Sequence, residues 1–169
     1  LAGDLETTVP DILADCALFV HGSTVATNTM LEGKGAKVGL LTTAGFRDAL
    51  ELRRGLREDQ WDHRAPYAPV LVPRHLRLGI RGRTDSDGSE HEALNHGDID
   101  KALKTFSAEG VEAIAVGLFN SFVNEDHEAA TEAAIRAGWD GRWISRSAAL
   151  SPMMGEYERT STAVINASL

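Results

Sequence analysis

Four consecutive residues that can hold an anion, His21-Gly22-Ser23-Thr24, stand directly ahead of the helical-looking stretch VATNTMLEG. An apolar run from Ala17 to Val20 precedes them, so the order reads as strand, turn, helix. In an open α/β sheet that is where ligands settle: the free N–H groups of a helix start accept negative charge, with a preference of about 0.3–1 kcal/mol. The same hydroxyls serve equally well as helix caps, and His21 equally well as a packed ring. Asn28, one turn into the helix, offers an amide to a substrate carbonyl or faces water, and Thr42 and Thr43 end the next apolar run. A second cluster is cationic: Arg47, Arg53, Arg54 and Arg57 follow Gly45-Phe46 within one segment. Guanidinium groups grip planar anions with paired hydrogen bonds, although Arg47 and Glu51 also have the spacing of a surface ion pair. A third set lies near the end of the chain: Glu156 and Thr160 are four residues apart on one helix face, as are Glu158 and Thr162, a stripe that can face a cleft or simply face solvent. Asp62, His63, His75, His91, Glu92, His96 and Asp98 lack the tight spacing of a zinc site, so no metal ligand is assigned. No Gly-x-Ser-x-Gly elbow is present, and no residue is assigned as catalytic.

The elements that would position these groups alternate. Val38 to Leu41 make a buried strand, followed through Gly45-Phe46-Arg47-Asp48 by a helix to about Arg54, which gives βαβα and predicts a parallel sheet. Pro66 and Pro69 deny the stretch from Gly55 to Pro73 a long helix. From Arg74 to Leu94 the Asp87-Gly88 pair predicts a β-hairpin inserted between αβ units, so 55–95 reads as loop plus hairpin insertion. Alternation then resumes: a helix capped by Asp98 and running to about Ala108, a strand from Ala113 to Leu118, a helix from Glu125 to Ala137, a short strand at Trp143 to Ser145, and a final helix after Pro152. Glu128, near the start of one of these helices, reads as a complement to the helix dipole.

Bulk properties narrow the class. With 169 residues, 43% hydrophobic and 25% charged, residues 1–169 fit a single domain that buries roughly 70% of its unfolded surface. No apolar run approaches the length of a membrane span, no secretion signal opens the chain, and the lone Cys16 cannot form an internal disulfide, so a cytoplasmic location is expected. A formal net charge of −8 disfavours nucleic acid as a partner. The first residue is Leu1 rather than methionine, so a longer parent protein is expected.

Three blocks carry a resemblance: HGSTVATNTMLEGKGAKVGLLTTAGFRDALELRR at 21–54, LVPRHLRLGIRGRTDSDGS at 71–89, and EYERTSTAVINASL at 156–169, with GVEAIAVGLFNSFVNEDHE at 110–128 as a fourth. In this order they resemble the amino-terminal region of the hydantoinase/oxoprolinase family, a hydantoinase A-like chain. The resemblance implies an α/β fold that is part of an actin, sugar-kinase and heat-shock-ATPase-like lobe: a mostly parallel sheet flanked by helices with an inserted β-hairpin. It implies ATP-dependent opening of cyclic amides of the hydantoin or 5-oxoproline type by phosphorylation of the amide oxygen, with ATP and Mg as cofactors. A small cyclic amide as substrate and a remaining lobe or hydantoinase B-like subunit in a hetero-oligomer come with it. His21, Gly22, Ser23, Thr24, Asn28 and Arg53 are then expected to bind substrate, and Glu156, Arg159 and Thr160 to line the interlobe cleft. The family's Gly-Gly-Thr-Phe-Thr-Asp phosphate hairpin is absent from this sequence, as is its second lobe. Related subunits serve ATP-dependent ketone carboxylases, which keeps open a carboxylase subunit and, because the ATP motifs are missing, a binding or assembly module without catalysis.

Overall fold

Every side chain from Val38 to Thr43 is buried, as a strand covered on both faces requires. The computed structural model describes residues 8–169 except 15, 19, 21–23, 56–58, 60, 63, 66–68 and 142. In it β1 (Val38–Thr43) lies inside a four-stranded sheet with β2 (Arg77–Ile80), β5 (Ala113–Gly117) and β6 (Trp143–Arg146), in the order β2-β1-β5-β6. All three pairings are parallel, with Thr42 beside Gly79 and Gly117. The short strands β3 (Arg83–Thr84) and β4 (Glu90–Glu92) pair antiparallel outside this sheet.

Periodicity explains the helical layers. In α4 (His96–Ala108) the buried residues are Ile99, Ala102, Leu103 and Phe106, one face at helical spacing. Phe106 lies against Gly39, where an added Cβ would stand 2.7 Å from its ring. On the opposite face, α7 (Glu156–Ser168) crosses so close that a Cβ on Gly117 would meet Thr160 Oγ1 at 2.7 Å. Gly39 pairs with Ile114, three residues before Gly117, so strand alternation puts the two glycines on opposite faces. The helix α5 (Asp126–Gly138) packs beside α4, and the one-turn α6 (Ser147–Leu150) beside α7. The core lies between these layers, with Leu40, Leu41, Ile80, Ile99, Phe106, Ile114, Val116 and Ile135 at most 1% exposed. None of the helices is long and apolar enough to cross a membrane, among the described residues.

Several expectations are corrected. Ala17, Leu18 and Val20 are not in a strand; Leu18 and Val20 are 77% and 79% exposed, and neither edge of the sheet pairs with them. The flanking α1 (Val9–Ala14) and α2 (Val25–Glu32) bury no residue at all. Within the stretch 55–95, residues 77–80 are the sheet's edge strand β2 rather than an arm of an inserted hairpin. The hairpin is confined to β3 and β4 around Asp85-Ser86-Asp87-Gly88, where Gly88 takes φ 87°. The helix after Gly45 is only α3 (Ala49–Leu52), since Arg53 leaves helical geometry at φ 54°, ψ −124°. The cap of α4 is Asn95, whose Oδ1 accepts the Asp98 N–H at 3.1 Å. Asp98 instead receives three bonds from Arg81, two from the guanidinium at 2.7 and 2.9 Å and one from the backbone N–H at 3.2 Å. Met153 and Met154 stay outside the last helix, which starts at Glu156 after Gly155.

Candidate functional site

Parallel strands end together, and the loops leaving β1, β2, β5 and β6 meet at one end of the sheet, where such folds form crevices. Two fully buried ions of opposite sign organise this end. Glu128 of α5, 0% exposed, accepts the Leu118 N–H at 2.9 Å, the Ala148 N–H at 2.9 Å and the Ser147 hydroxyl at 2.5 Å. Arg159 of α7, also 0% exposed, donates to Ser147 Oγ at 3.0 Å, to the Leu118 carbonyl at 2.7 Å and to both Glu156 oxygens at 2.8 and 2.7 Å. Ser147 thus joins carboxylate to guanidinium. A buried charge is tolerable only when paired and fully hydrogen-bonded, and this network meets that condition. It fixes the β5 exit loop from below and leaves Glu156, with a quarter of its side chain exposed, as the part that reaches the surface.

Above the network the same loop builds a second layer. Thr43 Oγ1 accepts the Phe119 N–H at 3.0 Å, and Glu156 accepts the Asn120 N–H at 3.3 Å. Asn120 adopts φ 59°, a conformation asparagine tolerates, and donates its amide to the Thr84 carbonyl at 2.9 Å, which docks the hairpin on the loop. Phe46 and Phe119 stack with centroids 4.5 Å apart. The Arg83 guanidinium lies over both rings, 5.6 and 4.7 Å from their centroids. No carboxylate or other acceptor among the described residues pairs with it. A guanidinium held against aromatic rings keeps its N–H donors for an arriving oxygen. Chemically, this end can hold a polar or anionic group against Arg83, while Asn120, the residue after Phe119, gives its N–H to the Glu156 carboxylate.

The anticipated residues are dispersed. His21, Gly22 and Ser23 lie outside the described residues. Thr24 and Asn28 sit at the start of α2, exposed, with Asn28 Nδ2 3.5 Å from Thr24 Oγ1. Arg53 lines a 70 Å³ cavity with Glu51, Leu71, Tyr157 and Ser161. Glu156, Arg159 and Thr160 do come together, but Arg159 and Thr160 are buried and turn into the chain's own interior. The carboxylates of the arginine-rich segment, Asp48 and Glu51, are taken by arginines from outside it, and Arg54 pairs beyond it. Arg74 holds Asp48 through two bonds of 3.0 Å and keeps its carboxyl below the usual range, Arg77 is buried against Glu51 at 2.7 Å, and Arg54 pairs with Glu158 at 2.5 Å. Sequence reasoning missed Glu128, Ser147, Asn120 and the Arg83 stack. Glu128 did leave a signal, because Glu128, Thr131 and Ile135 share a helical stripe and all three are buried. Among the described residues no group of three or more His, Cys, Asp or Glu is arranged to hold a metal ion.

Comparison with known proteins gives a consistent picture. The family model described as "Hydantoinase/oxoprolinase N-terminal region" matches residues 5–138. Caprolactamase subunit alpha of Pseudomonas jessenii is 42% identical over 171 residues, covering 100% of this chain and 25% of that protein. A crystal structure of the ATP-dependent caprolactamase from the same organism superposes with a TM-score of 0.88 at 43% identity, over 99% of this chain and 25% of that one. The acetophenone carboxylase gamma subunit of Aromatoleum aromaticum is 34% identical over 96% of this chain and 24% of its own length. For 5-oxoprolinase 1 of Arabidopsis thaliana the identity is 31%, over 88% of this chain and 13% of that protein. The chain spans a quarter or less of the length of these relatives.

Proposed function

The chain belongs to the hydantoinase/oxoprolinase family, and on that premise we propose that it forms part of an ATP-dependent hydrolase that opens cyclic amides. One observation carries the reading: 42% identity to a caprolactamase subunit over the whole chain, with the fold kept at a TM-score of 0.88. A ring amide resists water because resonance delocalises its nitrogen lone pair, so hydrolysis needs the oxygen activated and the ring held still.

The part assigned to this chain is the holding. Arg83, fixed on the Phe46–Phe119 stack, is proposed to donate to the amide oxygen or to charge developing there. Glu156 is proposed as the polar wall opposite, kept in place by Arg159 and the Asn120 N–H. His21, Gly22, Ser23, Thr24, Asn28 and Arg53 are proposed to complete the substrate surface, and the buried Arg159 and Thr160 to support the cleft-facing end of α7. An actin-like second lobe, a hydantoinase B-like subunit and hetero-oligomeric assembly in the cytoplasm belong to the same proposal. Two of the relatives are subunits by name.

ATP use enters from the family alone. A nucleotide tail needs several converging donors, and among the described residues this end of the sheet offers the guanidinium of Arg83 on the aromatic stack and that of Arg47 in a groove along β2, with no glycine-rich turn opening a long helix. No step through a nucleotide or Mg is derived. A second reading, a subunit of an ATP-dependent ketone carboxylase, is supported by the 34% identity to the acetophenone carboxylase subunit. The two separate in one experiment: the full-length polypeptide with its co-purifying subunit is given ATP and either lactams, hydantoin and 5-oxoproline, or a ketone with bicarbonate. Ring opening with phosphate release is the expected result. Bicarbonate-dependent ketone consumption without ring opening would replace the first reading by the second.

A further inference from the structure

We propose that the outer edge of β2 receives an acidic, extended segment of a partner polypeptide, which adds to the sheet as a further strand. This rests on the fold and not on the proposed activity. Successive residues of a parallel strand turn their backbone groups to alternate sides. Ile80 gives its carbonyl to the Ala44 N–H at 2.9 Å, on the β1 side, so Gly79 and Arg81 turn theirs outward. At Arg81 the outward groups are taken: its N–H by Asp98 at 3.2 Å and its carbonyl by the Asn95 N–H at 2.9 Å. The outward N–H and carbonyl of Gly79 meet no protein group among the described residues. The Arg77 N–H is held by the Arg74 carbonyl, so the open part of the edge is short: the Arg77 carbonyl and both groups of Gly79, a template for a brief parallel pairing.

Charge identifies the occupant. The groove along this edge, about 440 Å³, is lined by Arg47, Leu78, Gly79, Arg81, Asp98 and Lys101. Arg81 is committed to Asp98, whereas the Arg47 guanidinium makes no hydrogen bond among the described residues and feels only the field of Asp48, itself held by Arg74, and Lys101 only grazes Asp98 at 3.9 Å, with 79% of its side chain exposed. Two cations facing an open strand edge, on a chain of net charge −8, favour carboxylates. A second copy of this chain paired through the same edge would bring the two sets of cations together, which opposes self-association there.

The test uses a fluorescent peptide of alternating Glu and Val and the same peptide N-methylated at alternate residues, titrated into the whole chain by anisotropy. Saturable binding of the first that falls with added salt is expected, together with about tenfold weaker binding to the R47E/K101E variant and unchanged binding to a K34E control. N-methylation, which removes backbone donors and keeps every charge, is expected to abolish binding. Equal binding of both peptides would show a merely electrostatic contact and overturn strand addition. Failure of the unmodified peptide to bind, or undiminished binding to R47E/K101E, would equally overturn the proposal.

Discussion

Replacing Glu128 by glutamine changes one atom and should cost more than most substitutions in the molecule. Oε1 of Glu128 accepts two hydrogen bonds, from Leu118 and Ser147, and Oε2 accepts one, from Ala148, all of them buried. The cheapest placement of the new amide nitrogen is therefore at Oε2, where it confronts the Ala148 N–H donor to donor. One unsatisfied buried donor costs about 1–3 kcal/mol, and the two surviving bonds each lose about 1 kcal/mol when the acceptor is no longer charged. The sum is about 3–5 kcal/mol, within the range for breaking a buried ionic network. With a urea dependence of about 2 kcal/mol per molar, the unfolding midpoint should fall by roughly 1.5–2.5 M. Circular dichroism of wild type, Glu128→Gln and the exposed control Glu32→Gln would measure it. The control, whose partner Lys34 is 73% exposed, should move by less than about 0.5 M. A Glu128→Gln midpoint equally close to wild type would refute the claim that this network braces the carboxyl end of the sheet.

Three further outcomes are expected. Gly117→Ala should destabilise by about 1–3 kcal/mol, because the new methyl meets Thr160 Oγ1 at 2.7 Å, and adding Thr160→Ala should recover more than half of that loss in a double-mutant cycle. Asn95→Ala should remove the α4 cap at about 1 kcal/mol and lower Tm by roughly 2–4 °C in a calorimetric scan. Asp98, held by Arg81 at about 2 against an ordinary 3.8, contributes stability that is complete above about pH 4 and is lost as pH falls toward 2. A carbon-detected NMR titration should place its midpoint near 2, and Arg81→Ala should return it toward 3.8.

What the sequence made legible follows from where the information is local. The strands Val38–Thr43 and Ala113–Gly117 are short β-rich runs between turn residues, and both are where periodicity put them. Helix α5 was readable within one residue and α4 at its end, since their apolar spacing survives on a single face, but α4 starts three residues before a cap at Asp98 would place it. The edge strand Arg77–Ile80 was misread because RLGI sits ahead of a genuine hairpin turn, and only pairing with Leu40–Thr43 distinguishes a sheet edge from a hairpin arm. The 17–20 run failed for a related reason: apolar composition is necessary for a strand, but a partner edge is a tertiary fact. For the site, Glu156 and Thr160 were found as a stripe and Arg159 through the family resemblance, yet nothing local says that Arg159 turns inward to Ser147 and Leu118. Arg83 was invisible because its meaning depends on Phe46 and Phe119, which lie 36 or 37 residues away on either side.

The proposed role of Arg83 in meeting the substrate is tested most directly by steady-state kinetics of Arg83→Ala and Arg83→Lys in the full-length polypeptide with its co-purifying subunit. If Arg83 holds the amide oxygen as proposed, KM for the cyclic amide rises or kcat falls by about 10²-fold or more in Arg83→Ala, with only partial rescue by lysine, whose point charge lacks the planar fork, while KM for ATP stays near wild type. Unchanged ring-opening kinetics in a correctly folded Arg83→Ala enzyme would contradict it.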